Sequence, residues 1–214
     1  RMYYRGGGDL GREYTCLAES TDGIRWTRPS LGLFDFAGSR NNNIIWTGKE
    51  KAYCESHNFS PFIDQNPAAP PDQRYKAVTV SKLGDRKSDT RKRVLMGFVS
   101  ADGVRWRRIQ EAPIITDGAF DSHNTAFWDS VQRQYVCYLR IGREGKKSVA
   151  QATSSDFLHW SRPTLIIEPD LAHGPQVQIY GMQAAPYGAF VIGQSPMYRT
   201  EENDLHWAKM RGTM

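Results

Sequence analysis

The stretch Ser20-Thr21-Asp22-Gly23-Ile24-Arg25-Trp26 returns twice along the chain, as residues 100–106 (Ser-Ala-Asp-Gly-Val-Arg-Trp) and 154–160 (Ser-Ser-Asp-Phe-Leu-His-Trp). A weaker fourth copy spans residues 203–207 (Asn-Asp-Leu-His-Trp). In the first three copies an Asp stands four residues before the Trp, and an aliphatic residue stands two before it. Copies spaced at roughly 50 to 80 residues indicate propeller blades or another array of similar units.

Each copy predicts a tight turn between two strands. The Asp side chain accepts hydrogen bonds from the backbone N–H groups that follow it, and the Gly takes a positive φ. The aliphatic residue and the Trp are then expected to fill the space between neighbouring sheets, where a large aromatic ring covers much apolar area. We therefore interpret these Asp and Trp residues as structural and not as catalytic.

The composition suits an all-β protein with many turns, because Gly is frequent (19 residues) and aromatic residues make up 12%. The net charge of +5 is modest and the basic residues are scattered among acidic ones, so we expect no nucleic-acid partner. No apolar run is long enough to cross a membrane, so we expect no membrane partner.

The three cysteines, Cys16, Cys54 and Cys137, lack metal-type spacing and are predicted to be buried free thiols. No metal and no cofactor is expected.

The chain begins inside a strand-like segment, without an initiator Met and without a recognisable signal peptide. We interpret it as a fragment of a longer protein. Its location is therefore unknown, and a secreted or periplasmic location is compatible with the sequence.

Short strand-like segments separated by turn residues run along the whole chain, and no convincing helix is found. Among them, strands are expected at residues 14–18, 57–64, 74–80, 93–99, 121–129, 134–139 and 148–152. Four antiparallel strands per repeat is the plan of a β-propeller, in which each blade buries its faces against its neighbours. The sequence therefore predicts one incomplete β-propeller over residues 1–214. Its expected blades span approximately residues 1–33 (partial), 57–112, 121–167 and 180–214 (partial).

The pattern Ser-x-Asp-(Gly/Phe)-aliphatic-x-Trp, once per blade, resembles the five-bladed β-propeller glycoside hydrolases of the invertase, levansucrase and arabinanase type. Residues 154–160 are especially similar to the invertase-type sequence. The resemblance implies a substrate over the central channel and carboxylates at the starts of the innermost strands. Two carboxyl groups are what cleavage of a glycosidic bond requires, one to protonate the leaving oxygen and one to attack or to activate water.

The chain departs from this family at the expected catalytic motifs. Asn-Asp-Pro-Asn, Arg-Asp-Pro and Glu-Cys are all missing as intact motifs, and His-Asn pairs at 57–58 and 123–124 stand where an Asp-Pro pair is expected. Two hypotheses follow. The first is a glycosidase that cleaves an oligo- or polysaccharide at the central face of the propeller. The alternative is a non-catalytic propeller that binds carbohydrate or protein.

Three acids are candidates for catalysis. Asp121 lies near an innermost-strand start, Asp64 follows the first innermost strand, and Glu55 precedes His57. Each has a structural alternative: Asp121 as a turn-capping residue, Asp64 as the first residue of an Asx-turn, and Glu55 as a solvated loop acid.

A second set of residues is predicted to bind substrate through sugar hydroxyls or by stacking on a sugar face. The polar members at strand starts have an equally plausible role in capping strand ends, and the aromatic member has one in core packing. The set comprises His57, Asn58, His123, Asn124, Gln183 and Trp128.

Overall fold

The computed structural model describes residues 1–7, 13–47, 55–83, 92–143, 145–170, 172, 174 and 176–200. They contain fifteen strands and one short 3-10 helix, Pro71–Gln73, which confirms the predicted all-β class. No helix in this part of the chain is long and apolar enough to cross a membrane. Cys16 and Cys137 are buried free thiols as predicted, whereas Cys54 and the fourth turn copy lie outside the described residues.

The chain divides into two compact units, residues 1–114 and 115–214. Unit 1 holds a three-stranded and a four-stranded sheet, both antiparallel, with the strands in chain order. The strands of the first sheet are β1 (Met2–Gly7), β2 (Glu13–Ala18) and β3 (Ile44–Trp46), and those of the second are β4 (Ser60–Ile63), β5 (Tyr75–Leu83), β6 (Lys92–Ser100) and β7 (Arg107–Arg108).

The core of unit 1 lies between these two sheets. Alternate residues of a strand point to opposite faces, so Leu17 and Ile45 face the second sheet and pack in one cluster with Phe98 and Trp106. The rings of Trp46 and Phe98 meet edge to face at 4.8 Å. Burial of each such large apolar side chain stabilises the unit by about 1.5–3 kcal/mol.

The other face of the first sheet carries Tyr14, Cys16 and Ile44, which pack with Tyr4 and Phe34. Phe34 belongs to the connection between β2 and β3, so the chain itself covers part of this face.

Unit 2 holds one four-stranded antiparallel sheet and two sheets of two strands each, in which residues 177–179 pair with 197–199 and residues 183–187 pair with 190–194. The four-stranded sheet comprises β8 (Thr125–Asp129), β9 (Gln134–Arg143), β10 (Lys146–Ser154) and β11 (Thr164–Ile167). The remaining strands are β12 (Val177–Ile179), β13 (Gln183–Tyr187), β14 (Phe190–Gln194) and β15 (Met197–Arg199). Four-stranded antiparallel sheets in both units are what a propeller requires of its blades. The assignment of four blade ranges to a single domain stays a prediction.

The three repeated turns have the same hydrogen bonds, as predicted. In the second copy, Asp102 Oδ1 accepts bonds of 2.8 Å from the backbone N–H groups of Val104 and of Arg105. Asp22 and Asp156 accept the equivalent pairs at 2.8–2.9 Å. The residue after the Asp has φ of 75°, 73° and 67° in the three copies, and in the third this residue is Phe157.

The expected burial of the motif's apolar residues is confirmed in the second copy and is wrong for the first. Trp106 is 8% exposed and packs edge to face on Phe59 at 5.1 Å. Trp26 is 41% exposed and Ile24 is 83% exposed. The turn forms through local bonds, but burial of its Trp needs a neighbouring sheet.

Two predicted inner strands begin later than the sequence pattern suggested. The expected strands at 57–64 and 121–129 correspond to β4, which begins at Ser60, and to β8, which begins at Thr125. Asn58 has φ of 57°, a left-handed conformation that Asn tolerates and that a strand excludes. The two His-Asn pairs therefore precede their strands.

Candidate functional site

In unit 2, Asn124 holds the segment that leads into β8. Its side chain is 1% exposed, and its amide donates 3.0 Å hydrogen bonds to the carbonyls of Phe120 and of Ser122. Both amide protons are thus used within the protein. These bonds favour the capping role for Asn124. The preceding residue, His123, is exposed.

Asp121 has a carboxylate that solvent reaches, since its side chain is 40% exposed. Its Oδ2 lies 3.9 Å from Nη2 of Arg140. Arg140 is buried and fixed, because its Nε donates to the Ala119 carbonyl at 2.9 Å and its guanidinium lies 4.9 Å from the ring centroid of Tyr180. A buried positive charge therefore lies beside an accessible carboxylate in the segment that precedes β8.

His123 and Gln183 meet beside this segment. Gln183 begins β13, and its amide nitrogen lies 3.5 Å from the His123 carbonyl. The next residue, Ala184, donates its backbone N–H to the Thr125 hydroxyl at 3.2 Å, which ties β13 to β8. We call Asp121, His123 and Gln183 the β8–β13 surface.

The imidazole of His123 is exposed by surface area, yet protein atoms around it partly replace water. This desolvation lowers the pKa of His123 below its usual value. The ring is therefore neutral at pH 7 and offers one nitrogen as a hydrogen-bond acceptor and one as a donor.

In unit 1, Asp64 lies just after β4 and is closed off from solvent. Its Oδ2 forms a 2.6 Å ion pair with Nζ of Lys76, and the exposed fractions of the two side chains are 0% and 3%. Its Oδ1 accepts a bond from the Asn66 backbone N–H at 2.9 Å, which is the Asx-turn alternative. A buried, paired carboxylate of this kind holds the loop and presents no free face to a substrate.

Glu55 is also buried, at 2% exposed. The guanidinium of Arg108 in β7 donates hydrogen bonds of 2.9–3.2 Å to both carboxylate oxygens of Glu55. Burial raises the pKa of Glu55, and the bonds and charge of Arg108 act against this rise. The pair joins the turn at residues 55–58 to the edge strand of the second sheet, so its placement favours a structural role.

His57 stands in the same turn and contacts an acid that the sequence pattern did not single out. Its Nδ1 lies 2.8 Å from Oε2 of Glu13 and 3.1 Å from Nη1 of Arg5. All three side chains are partly exposed, by 30–52%. Glu13 is the first residue of β2, and the sequence around it does not predict its contact with His57, which lies 44 residues later.

Trp128 lies at the far end of β8 from the His-Asn pair, and it is 8% exposed. Its ring meets that of Tyr135 edge to face at 4.9 Å. This contact favours the core-packing alternative over stacking on a sugar. Of the predicted residues in unit 2, the structure thus brings Asp121, His123 and Gln183 to the surface, and it buries Asn124 and Trp128.

The part of the chain that the structure describes contains no group of three or more His, Cys, Asp or Glu side chains placed to hold a metal ion. The β8–β13 surface offers one carboxylate, one neutral imidazole and one amide.

No protein-family model matches the sequence, and no curated protein matches it significantly. Solved structures do match its fold. A GH32 beta-fructofuranosidase from Bombyx mori superposes with a TM-score of 0.64 over 93% of this chain, at 11% identity. A fructofuranosidase from Schwanniomyces occidentalis, complexed with fructose, superposes with a TM-score of 0.59 over 91% of this chain, at 15% identity.

A third match has another activity. It is an N-acetylgalactosamine deacetylase from F. plautii in complex with blood group B trisaccharide, with a TM-score of 0.51 over 87% of this chain at 17% identity. The chain spans 55% of that protein, but only 39% and 36% of the two fructofuranosidases. This partial span agrees with the prediction of an incomplete propeller.

These matches confirm the resemblance predicted from the repeated turns, at the level of the fold. The chain has a glycoside hydrolase-like β-propeller fold. One fold supports several chemistries, and the matched proteins differ in activity, so the fold does not identify a reaction.

Proposed function

We propose that the chain is part of a carbohydrate-cleaving propeller and that the β8–β13 surface contacts the sugar. The observation that carries this proposal is the accessible carboxylate of Asp121, which lies four residues before β8 in the segment whose His123 carbonyl contacts Gln183. The sugars bound to the matched structures support carbohydrate as the ligand class. Expected absence of nucleic-acid and membrane partners stays a prediction.

The proposed chemistry gives Asp121 the role of acid or base at the glycosidic oxygen or at the attacking water. Cleavage passes through an oxocarbenium-like transition state and needs a second carboxyl group opposite the first. Glu55 and Asp64 were predicted for these roles, but both are held in ion pairs within unit 1. Neutral His123 and the Gln183 amide are assigned to hydrogen bonds with sugar hydroxyls.

The same ion pairs favour a second candidate function, a propeller that binds carbohydrate without cleaving it. Of the three predicted acids, Asp121 alone presents its carboxylate to solvent. Under this reading Asp121 accepts hydrogen bonds from sugar hydroxyls and no bond is broken.

One experiment on the full chain distinguishes the two functions. Product release is measured on a panel of fructans, arabinans and galactose-containing oligosaccharides for the wild type, Asp121→Asn and Asp117→Asn. Asp117 is a matched control, because its side chain is 69% exposed and lies 3.6 Å from Arg162, whose side chain is 91% exposed. We expect Asp121→Asn to slow release by about 10²–10⁴-fold, the usual contribution of a general acid or base, and Asp117→Asn to leave it unchanged.

Release that is equal in both variants would remove Asp121 from the mechanism. No release by the wild type, together with saturable binding that Asp121→Asn weakens, would replace the hydrolase with the binding propeller. Neither release nor binding on any sugar would exclude both functions for the chain alone.

A further inference from the structure

A pocket lies in unit 1, on the face of the first sheet that carries Tyr14 and Cys16. Its volume is about 520 Å³, within the range of small-molecule sites. Strand residues form its floor and the connection between β2 and β3 forms its wall. The residues that matter for its chemistry are Tyr4, Tyr14, Cys16, Arg28, Phe36 and Asn41.

Tyr14 supplies a phenol ring and a hydroxyl to this pocket. The residue is 6% exposed, and its ring meets Phe36 edge to face at 5.4 Å. The ring is therefore held in place by packing, and its hydroxyl can donate to or accept from a ligand in the pocket.

The wall of the pocket is held by amides that are already used. Asn43 donates 2.7 Å bonds to the Tyr4 hydroxyl and to the Leu17 carbonyl, and Asn42 donates to the Phe34 carbonyl at 2.8 Å. Their side chains are fixed to the sheet and to the loop. The pocket therefore exists before any ligand arrives, which reduces the ordering cost of binding.

Arg28 and Asn41 line the pocket from exposed positions. Within the described part of the chain, Arg28 forms no ion pair. The positive charge of Arg28 also acts on Cys16, which lies in the floor of the pocket. Burial raises the pKa of the Cys16 thiol, whereas a backbone hydrogen bond from Gly6 and the charge of Arg28 lower it. An exposed guanidinium is suited to recognise an anionic group of a ligand.

Phe36 provides an apolar surface at the same place, since its residue is 41% exposed. An aromatic ring that is wet on one side and packed on the other offers its free side to the C–H face of a sugar ring. The pocket thus combines an aromatic surface, a tyrosine hydroxyl, an amide and a guanidinium.

We propose that this pocket binds a monosaccharide unit that carries an acidic group, with Arg28 at the anion, Tyr14 at a ring hydroxyl and Phe36 against the ring. The site lies within unit 1 and is separate in its residues from the β8–β13 surface. It does not depend on hydrolysis or on Asp121.

The test is calorimetric titration of the full chain with glucuronate, glucose 6-phosphate, glucose and inorganic phosphate. We expect glucuronate or glucose 6-phosphate to bind at least tenfold more tightly than glucose and than inorganic phosphate. Comparison of the two acidic sugars distinguishes carboxylate from phosphate as the preferred anion. Tighter binding of inorganic phosphate alone, or equal binding of glucose and the acidic sugars, would overturn the proposal.

Variants assign the binding to this pocket. Arg28→Ala is expected to weaken binding of the acidic sugar by about 10–100-fold, as for loss of a charged hydrogen bond. Tyr14→Phe keeps the ring and is expected to weaken it by about 3–10-fold. Arg25→Ala is the matched control, because Arg25 is exposed on the same segment and does not line the pocket.

Circular dichroism confirms that each variant is folded. Binding that survives both Arg28→Ala and Tyr14→Phe, or that Arg25→Ala weakens as much as Arg28→Ala does, would contradict the assignment. So would the absence of saturable binding of either acidic sugar to the wild type.

Discussion

The first and second copies of the repeated turn have the same local structure and different surroundings. In both, the Trp indole N–H donates to the carbonyl three residues earlier, at 3.1 Å for Trp26 and 3.2 Å for Trp106. Trp106 is buried against Tyr3 and Phe59, whereas Trp26 is 41% exposed. Seven residues are enough to form the turn, but a sheet from elsewhere in the chain is needed to bury its aromatic residue.

The largest effect should come from removing the two aromatic residues. Trp106→Ala deletes a buried ring from the core of unit 1 and should lower the free energy of unfolding by about 3–5 kcal/mol. Trp26→Ala removes a partly exposed ring and should cost about 1 kcal/mol or less. Urea denaturation followed by circular dichroism measures both losses.

Equal losses for the two variants would show that Trp26 is buried in solution by a contact that the described residues do not supply. A loss below 1 kcal/mol for Trp106→Ala would contradict its place in the core.

The second comparison uses the glycine that follows the Asp in each turn. Gly23 and Gly103 have φ of 75° and 73°, so alanine at either position costs about 1–2 kcal/mol in backbone strain. A Cβ on Gly23 meets no atom within 4 Å, whereas on Gly103 it lies 2.7 Å from the Tyr3 hydroxyl and 3.1 Å from a Tyr75 ring carbon. We expect about 1–2 kcal/mol for Gly23→Ala and about 2–4 kcal/mol for Gly103→Ala.

Thermal or urea unfolding of the two alanine variants checks this difference. An identical cost at both positions would mean that Tyr3 moves aside freely and that the second turn is no more constrained than the first.

The smallest effect is electrostatic and should appear only in acid. Burial acts to raise the pKa of Asp102, but hydrogen bonds from Arg105, Val104 and Ser100 outweigh it and lower the pKa to about 2. A lowered folded-state pKa stabilises the fold above the unfolded value of about 3.9. This contribution is lost as the pH falls from about 4 towards 2.

The carboxylate of Asp102 is 40% exposed, so solvent screening limits this contribution to about 1 kcal/mol or less. Asp102→Asn should therefore flatten the fall in stability between pH 4 and pH 2. The pKa of Asp22 is lowered as well, by the backbone N–H groups of Arg25 and Ile24, and Asp22→Asn should act in the same direction. Urea midpoints at pH 2, 3, 4 and 6 test both variants, and an unchanged acid profile for Asp102→Asn would refute the assigned hydrogen bonds.

Much of the fold was predictable because its signals are local. The alternation of apolar residues located β2, β5, β6, β9 and β10, and the turn motif located the corners between strands. The starts of β4 and β8 were placed too early, since the left-handed conformation of Asn58 and the side-chain bonds of Asn124 interrupt what looks like a continuous strand.

The candidate site was less predictable because basic residues far along the chain decide which of the candidate carboxylates are buried in ion pairs. Asp64 is paired with Lys76, which stands twelve residues later, and Glu55 with Arg108, fifty-three residues later. A carboxylate in a polar stretch looks the same in sequence whether it is free or paired. The pocket that Tyr14 lines is likewise visible only in the folded chain, because the sequence of a strand does not show which of its faces a loop covers.

The sequence by itself determined the repeated turn, the all-β class and the propeller resemblance, because each depends on hydrogen bonds and apolar alternation between residues close in the chain. The tertiary structure alone decided which Trp is buried, which acids are neutralised by buried cations, and where the tyrosine-lined pocket of unit 1 lies. These three features depend on contacts between residues far apart in sequence, and local sequence patterns do not predict the energies of such contacts.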